Sequence, residues 1–263
     1  MAFPASNEIA PMTFDGSTIR ARPALSVVIP CKNEAENIPE LIGEIAAALS
    51  GRSFEVIVVD DGSDDGTDAV LKGMMRERDW LRAVRHPQSC GQSAAVRTGL
   101  LAARGDIVIT IDGDGQNDPA FMPALVDALE KGGPAMAIVA GQRLKRTDSG
   151  AKRIASRLAN KLRGAILQDG TRDSGCGLKA IRRPVFLLFP YFDGWHRYLP
   201  ALAIREGYTV GHIDVVDRSR RHGVSKYGIL DRALVGAADL FGVWWLRRRR
   251  KRIPRPVEVK VDG

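Results

Sequence analysis

Phe54-Glu55-Val56-Ile57-Val58-Val59-Asp60-Asp61-Gly62-Ser63-Asp64-Asp65-Gly66-Thr67 is the stretch on which the fold turns. Its first half is apolar and rich in β-branched side chains, the composition of a strand buried on both faces. Acids, glycines and serine then end the run. From Thr67 to about Asp79 the pattern changes to helical. The same succession recurs on either side. Leu25-Ser26-Val27-Val28-Ile29-Pro30 reads as a buried strand, followed by Ile38, Leu41, Ile42 and Ile45 at helical spacing. Leu81 to Arg85 is a weaker strand before a helix from Ser93 to Arg104, and Asp106 to Ile111 a strong one before a helix from Phe121 to Glu130. Ala135 to Ala140 reads as a further strand, and Val210 to Val216 as another. Repeated strand and helix with short connections predict an α/β fold, a mostly parallel central sheet flanked by helices.

In such a sheet ligands bind beyond the carboxyl ends of the strands. The polar clusters of this chain fall there: Pro30-Cys31-Lys32-Asn33-Glu34 after the first strand, Asp60-Asp61-Gly62-Ser63 after the second, Asp112-Gly113-Asp114 after the fourth. Two carboxylates as close as Asp112 and Asp114 repel unless a cation lies between them, which favours Mg²⁺ or Mn²⁺. The ordinary alternative is an Asx-rich turn. Asp60 and Asp61 beside a glycine turn suit ribose hydroxyls or the imide of a base, with Glu34 enclosing the same nucleoside; helix capping is the competing explanation. Cys90-Gly91-Gln92-Ser93 opens a helix with small residues, which serves a close ligand approach or tight packing equally well.

The chain has 263 residues, 44% hydrophobic and 27% charged, enough to bury a substantial core. Three cysteines, Cys31, Cys90 and Cys176, are odd in number and far apart, so we expect a reducing compartment. The opening residues lack the basic and apolar regions of a signal peptide. A net charge of +8 points to anionic partners, but much of it lies in Arg247-Arg248-Arg249-Arg250-Lys251-Arg252. That argues against nucleic acid, which needs a basic face on the folded domain.

Taken together, these motifs resemble the family 2 glycosyltransferases, and within them the dolichyl- or polyprenyl-phosphate sugar synthases of the dolichol-phosphate mannosyltransferase type. The resemblance rests on Pro30-x-x-Asn33-Glu34, Asp60-Asp61-Gly62-Ser63 with Asp65-Gly66-Thr67, Asp112-x-Asp114-x-Gln116, Gly141-Gln142-Arg143, Ser156 with Asn160, Asp173-Ser174-Gly175-Cys176-Gly177 and Arg220-x-x-Gly223-x-Ser225-Lys226. It spans about residues 24–228 in the family's order. It implies a GT-A fold with a Rossmann-like nucleotide-binding half, and inverting, metal-dependent transfer of a sugar from a GDP- or UDP-sugar to a polyprenyl monophosphate. It further implies Pro30, Asn33, Glu34, Asp60, Asp61, Ser63, Gly91 and Asp112 around the nucleotide sugar. Asp112 and Asp114 would hold the metal and, with Gln116, serve the chemistry; Arg143, Lys152, Arg153, Ser156, Lys179, Arg220 and Lys226 would hold the acceptor phosphate. Lys179 stands where the family often has arginine, and Cys176 where it usually has serine. Asn117 and Asp118 are left as the helix cap before Pro119.

The expected organisation is a loose N-terminal arm over 1–23, the glycosyltransferase domain over 24–228, and an amphipathic helix with a basic tail over 229–263. Ile229 to Leu246 is apolar, but Asp231, Arg232 and Asp239 interrupt it before it reaches the ~20 residues of a bilayer span. Trp244-Trp245 followed by six basic residues suits a helix lying on anionic lipid, against the alternative of a core-packing helix with a solvated end. We therefore expect a peripheral enzyme on the cytoplasmic face of a membrane, with room for an integral-membrane partner and none for nucleic acid. His86 and His196 read as packing residues, while His222 lies inside the basic motif. Two other functions stay open: transfer to a polysaccharide or protein hydroxyl, which needs a carboxylate base for which Asp173 is the candidate, and a non-catalytic basic adaptor for membranes.

Overall fold

The computed structural model describes residues 22–144, 163–218 and 229–250, the last with side chains from residue 236 onward. Each predicted strand and helix within those limits is present. In chain order they are β1 (Leu25–Cys31), α1 (Ile38–Ala48), β2 (Phe54–Asp60), α2 (Thr67–Met75), β3 (Leu81–Arg85), α3 (Gln92–Ala102), β4 (Ile107–Thr110), α4 (Met122–Lys131) and β5 (Met136–Arg143). There follow β6 (Lys179–Arg182), α5 (Arg183–Phe186), α6 (Leu199–Arg205), β7 (Thr209–Val215) and α7 (Ile229–Arg248). The chief departure from the sequence reading is β6, a four-residue strand in a stretch without strand periodicity.

The strands form one sheet in the order β3-β2-β1-β4-β6-β5-β7. β1 pairs parallel with both β2 and β4, β2 with β3, and β5 with β7, while β6 runs antiparallel between β4 and β5. The sheet is thus mixed but mostly parallel. Alternate residues of each central strand serve opposite faces, and both faces are dry. Val27, Ile29, Val56 and Val58 meet Ile38, Leu41, Ile42 and Leu125 from α1 and α4. Val28, Ile57 and Val59 meet Ala95, Val96 and Leu100 of α3, together with Trp195 and Leu202. Each such buried aliphatic side chain contributes roughly 1.5–3 kcal/mol, so the sheet is fixed by two cores rather than one.

The chain moves outward from β1 to β2 and β3, then returns to place β4 on the other side of β1. That reversal opens a crevice at the carboxyl ends of β1 and β4. The apolar tail also finds a seat. Val243 of α7 is buried with Tyr198, Ala201 and Leu167, and Leu240 and Trp244 pack partly against the same group. Phe241 and Trp245 instead face outward, 64% and 49% exposed.

Candidate active site

The two acidic clusters at strand ends have different surroundings. Asp61, just beyond β2, is buried and accepts four protein hydrogen bonds. Oδ1 receives Cys90 N at 2.8 Å and faces His86 Nδ1 at 2.7 Å; Oδ2 receives Ser89 Oγ at 2.8 Å and Gly91 N at 2.9 Å. These donors hold its carboxyl below the usual range despite burial. The arrangement needs Gly62. Its φ of +70° suits glycine, and a Cβ there would lie 2.8 Å from the backbone of Gln88 and Ser89. Asp61 is therefore the clasp of the loop between β3 and α3, and Gly91 is one of the groups it clasps. His86 is a hydrogen-bonding partner, with Thr98 Oγ1 at 2.9 Å on its other nitrogen, and not the packing residue expected.

Asp60 accepts Ser63 N at 2.9 Å on Oδ1, whereas its buried Oδ2 has no hydrogen-bond partner among the described residues; Arg85 Nε pairs with it at 3.5 Å. Asn33, in a left-handed conformation, zips the β1 loop to the β2 loop: its amide donates to Asp64 at 2.7 Å and its backbone N–H to Ser63 Oγ at 2.9 Å. Glu34 accepts from Asn37 Nδ2 at 2.6 Å, and its N–H donates to Thr67 Oγ1.

Asp112, beyond β4, opens on a cavity of about 420 Å³ whose wall includes Pro30, Gln92, Gln116, Arg143, Lys179 and His196. It accepts Gln92 Nε2 at 2.8 Å on Oδ1. Burial, and then the charge of nearby Asp114, push its carboxyl up to about 6, against the pull of Lys179 and Arg143. Gly177 lies over it so closely that a Cβ would meet the carboxylate at 2.4 Å. Asp114 accepts Gln116 N at 3.1 Å, the geometry of an Asx turn. The chemistry of this pair fits a hard divalent cation: Asp112 lines a polar cavity, and the charge of nearby Asp114 acts on it, only partly offset by Lys179 and Arg143. A second grouping, Asp61, His86 and Cys90, brings ligand atoms within 4.8 Å of one another. It does not fit a metal, because the Asp61 oxygens and both His86 nitrogens already have partners.

The predicted phosphate-binding cations are only partly delivered. Arg143 reaches the cavity but grips both oxygens of Asp173, with Nη2 to Oδ1 at 2.9 Å, and Asp217 through Nη1 at 3.2 Å. Lys179 is buried in β6; its ammonium donates to the Cys176 carbonyl, and burial lowers its pKa. Lys152, Arg153, Ser156, Arg220 and Lys226 lie outside the described residues, as does His222. Asp118 caps the turn before α4 through Ala120 N at 2.9 Å, as expected. Asn117 does not share that role. It is buried and donates to Asp217 at 3.1 Å, because its backbone bridges that residue. Sequence reasoning missed Gln92, Asp217 and His196. Gln92 was discernible only as a polar residue in a helix of small ones, and the other two gave no signal.

The model of glycosyl transferase family 2 matches residues 26–188, the span that carries β1 to β6 and both acidic clusters. The chain belongs to that family. It is 36% identical over 234 residues to a dodecaprenyl-phosphate galacturonate synthase of Rhizobium johnstonii, covering 87% of this chain and 68% of the relative. It is 35% identical over 209 residues to an undecaprenyl-phosphate 4-deoxy-4-formamido-L-arabinose transferase of Aeromonas hydrophila, covering 78% and 63%. The chain thus spans about two thirds of the length of these relatives. Among solved structures, glucosyl-3-phosphoglycerate synthase from Mycobacterium tuberculosis, in complex with Mn²⁺, UDP-glucose and phosphoglyceric acid, superposes with a TM-score of 0.63. It is 22% identical and covers 86% of this chain and 79% of that one, a likeness of fold. As a family 2 glycosyltransferase, the chain carries the Asp112 cavity at the edge of the sheet where that fold opens.

Proposed function

We propose that this enzyme transfers a sugar from a GDP- or UDP-sugar to a polyprenyl monophosphate of the dolichyl or undecaprenyl type, inverting the anomeric carbon. The observation that carries the reading is Asp112, with Asp114 close enough to act on its charge, lining a polar cavity at the switch point of the sheet. The names of the dodecaprenyl- and undecaprenyl-phosphate relatives support the acceptor class. The Mn²⁺ and UDP-glucose of the mycobacterial complex support the donor class and the cofactor.

Asp112 and Asp114 would hold Mg²⁺ or Mn²⁺, which supplies charge neutralisation for the departing nucleoside diphosphate. Gln92 keeps Asp112 oriented toward the cavity. Asp60 is assigned to a hydroxyl or imide of the nucleoside, while Asp61 acts one step back by holding the loop that ends at Gly91. Pro30, Asn33, Glu34 and Ser63 complete that wall. A phosphate monoester has a second pKa of about 6 and attacks as the dianion, so the reaction needs positioning cations and no strong base. Arg143, held rigid by Asp173 and Asp217, suits that task, with Lys152, Arg153, Ser156, Arg220 and Lys226 assigned to the same anion. Lys179 moves to a different role: its buried charge offsets that of Asp112. Gln116 lines the cavity and is assigned to the acceptor. Because Arg143 occupies Asp173, a general base for sugar hydroxyls is disfavoured, and with it transfer to a polysaccharide.

We place the enzyme on the cytoplasmic face of a membrane as a peripheral protein, with an integral-membrane partner compatible. Phe241 and Trp245 are exposed one turn apart on α7, and the Arg249 guanidinium lies 5.6 Å from the Trp245 ring centre. Among the described residues no helix is long and apolar enough to cross a membrane.

The test is incubation with radiolabelled nucleotide sugars, Mn²⁺ and a short polyprenyl phosphate, followed by organic extraction. Label in the lipid phase with at least one donor is expected. Its absence with every donor would sink the proposal.

A further inference from the structure

The cavity has a second wall that the proposed mechanism does not use, the turn Trp195–Arg197. This turn is pinned to the first turn of α3 by Ser93. Ser93 Oγ accepts Gly194 N at 2.9 Å and lies 2.7 Å from His196 Nδ1, and Trp195 Nε1 donates to the Ser93 carbonyl at 3.1 Å. Ser93 is fully buried. Its hydroxyl already receives one proton from Gly194, and His196 Nδ1 is the acceptor within reach of its own O–H among the described residues. A buried hydroxyl left without an acceptor is costly, so Ser93 donates to Nδ1 and the imidazole proton sits on Nε2.

That Nε2 has no protein partner among the described residues, and His196 is half-buried and lines the cavity. Burial, with Arg197 and Lys179 nearby, depresses the His196 pKa to about 3, so the ring stays neutral. Arg197 lines the same cavity and is exposed. Arg143 is bound by two carboxylates and Lys179 by a carbonyl, whereas Arg197 makes no ion pair with a described residue; Asp239 is within electrostatic range only.

We propose that His196 and Arg197 form an anion subsite, in which the His196 Nε2–H and the Arg197 guanidinium grip an anionic oxygen of a substrate. The oxygen belongs to the acceptor phosphate or to a charged group on the transferred sugar. Ser93 is the positioning residue that sets the tautomer. The inference rests on the proposed sugar transfer for its substrates but not for its geometry.

Two measurements test it. Long-range ¹H–¹⁵N correlation spectra of the full chain should show His196 as the neutral Nε2–H tautomer down to pH 5, and Ser93→Ala should release that preference. An Nδ1–H tautomer in the wild type, or titration near 6.5, would overturn the assignment whether or not sugar transfer is found. In the transfer assay, His196→Ala and Arg197→Ala should each lower kcat/KM about tenfold or more, with His196→Gln, whose Nε2 amide can replace the lost donor, recovering most of the loss. A rise confined to the KM for polyprenyl phosphate identifies the acceptor as the ligand; one confined to the nucleotide sugar identifies the donor. Unchanged kcat/KM in both alanine variants removes the subsite. A wild type that transfers no label defeats the proposed function instead and leaves the spectra to judge His196.

Discussion

Asp61 and Asp112 are the same residue type at the ends of two strands of one sheet, and their environments drive them apart. Asp61 receives four protein hydrogen bonds and has its pKa lowered. Asp112 receives one among the described residues, sits near a second carboxylate and has its pKa raised to about 6. The first is a structural clasp whose capacity to accept is spent inside the protein. The second keeps its capacity for something that is not protein. Acidity at a strand end is therefore an incomplete marker of function; unsatisfied acidity is the better one.

Substitutions can break that contrast, and the largest effect belongs to the Asp112–Asp114 pair. Asp114→Asn should reduce transfer by about 10³-fold or more, the scale on which charge stabilisation at a reacting centre operates, with little change in the melting temperature. Asp112→Asn should be as inactive and also more stable at pH 7. A carboxyl whose folded pKa lies near 6 opposes folding once both states are ionised, by up to roughly 3 kcal/mol, and the opposition vanishes as pH falls below the unfolded value near 4. Thermal melts of Asp112→Asn and wild type at pH 7 and at pH 4 check this: the gap should close at the lower pH.

Asp61→Ala should behave in the opposite way, losing about 3 kcal/mol of stability because two backbone N–H groups and two side-chain donors lose their acceptor together. Its folded pKa is depressed, so its contribution is present above pH 3.8 and is lost as pH falls through the folded value. Acid unfolding of the variant should therefore begin from a lower plateau and show a shallower final limb. Urea titrations across pH 2–7 measure both.

The smallest effects separate the two sides of α7. Val243→Ala should cost about 1–2 kcal/mol, since that methyl pair is buried against Tyr198 and Leu167. Phe241→Ser combined with Trp245→Ser should leave stability within about 0.5 kcal/mol, because both rings are largely exposed, while weakening sedimentation with anionic vesicles. Equal loss from both variants would mean that α7 has no separate outer function.

Much of this was legible in the sequence. Periodicity located β1 to β5 and α1 to α4 within a few residues because both faces of each central strand and one face of each helix must be apolar. The run from Asp112 to Gln116 and the Asp60-Asp61-Gly62-Ser63 turn could be placed at the ligand edge, since a parallel strand brings whatever follows it there. β6 was not legible, because a four-residue strand with lysine and arginine at its ends carries no period. Lys179 accordingly gave no sign in the sequence that it would be buried while lining the cavity with Asp112.

What the sequence determined by itself was the layering, the edge on which chemistry gathers, and the family. These follow from local rules of period and connection. What only the tertiary structure decided was occupancy: which carboxylates are satisfied, which cations are tied, and which histidine faces the cavity. Those properties depend on partners as far apart in the chain as Ser93 and His196, or Arg143 and Asp217, and no local pattern records the partner a polar group will meet after folding.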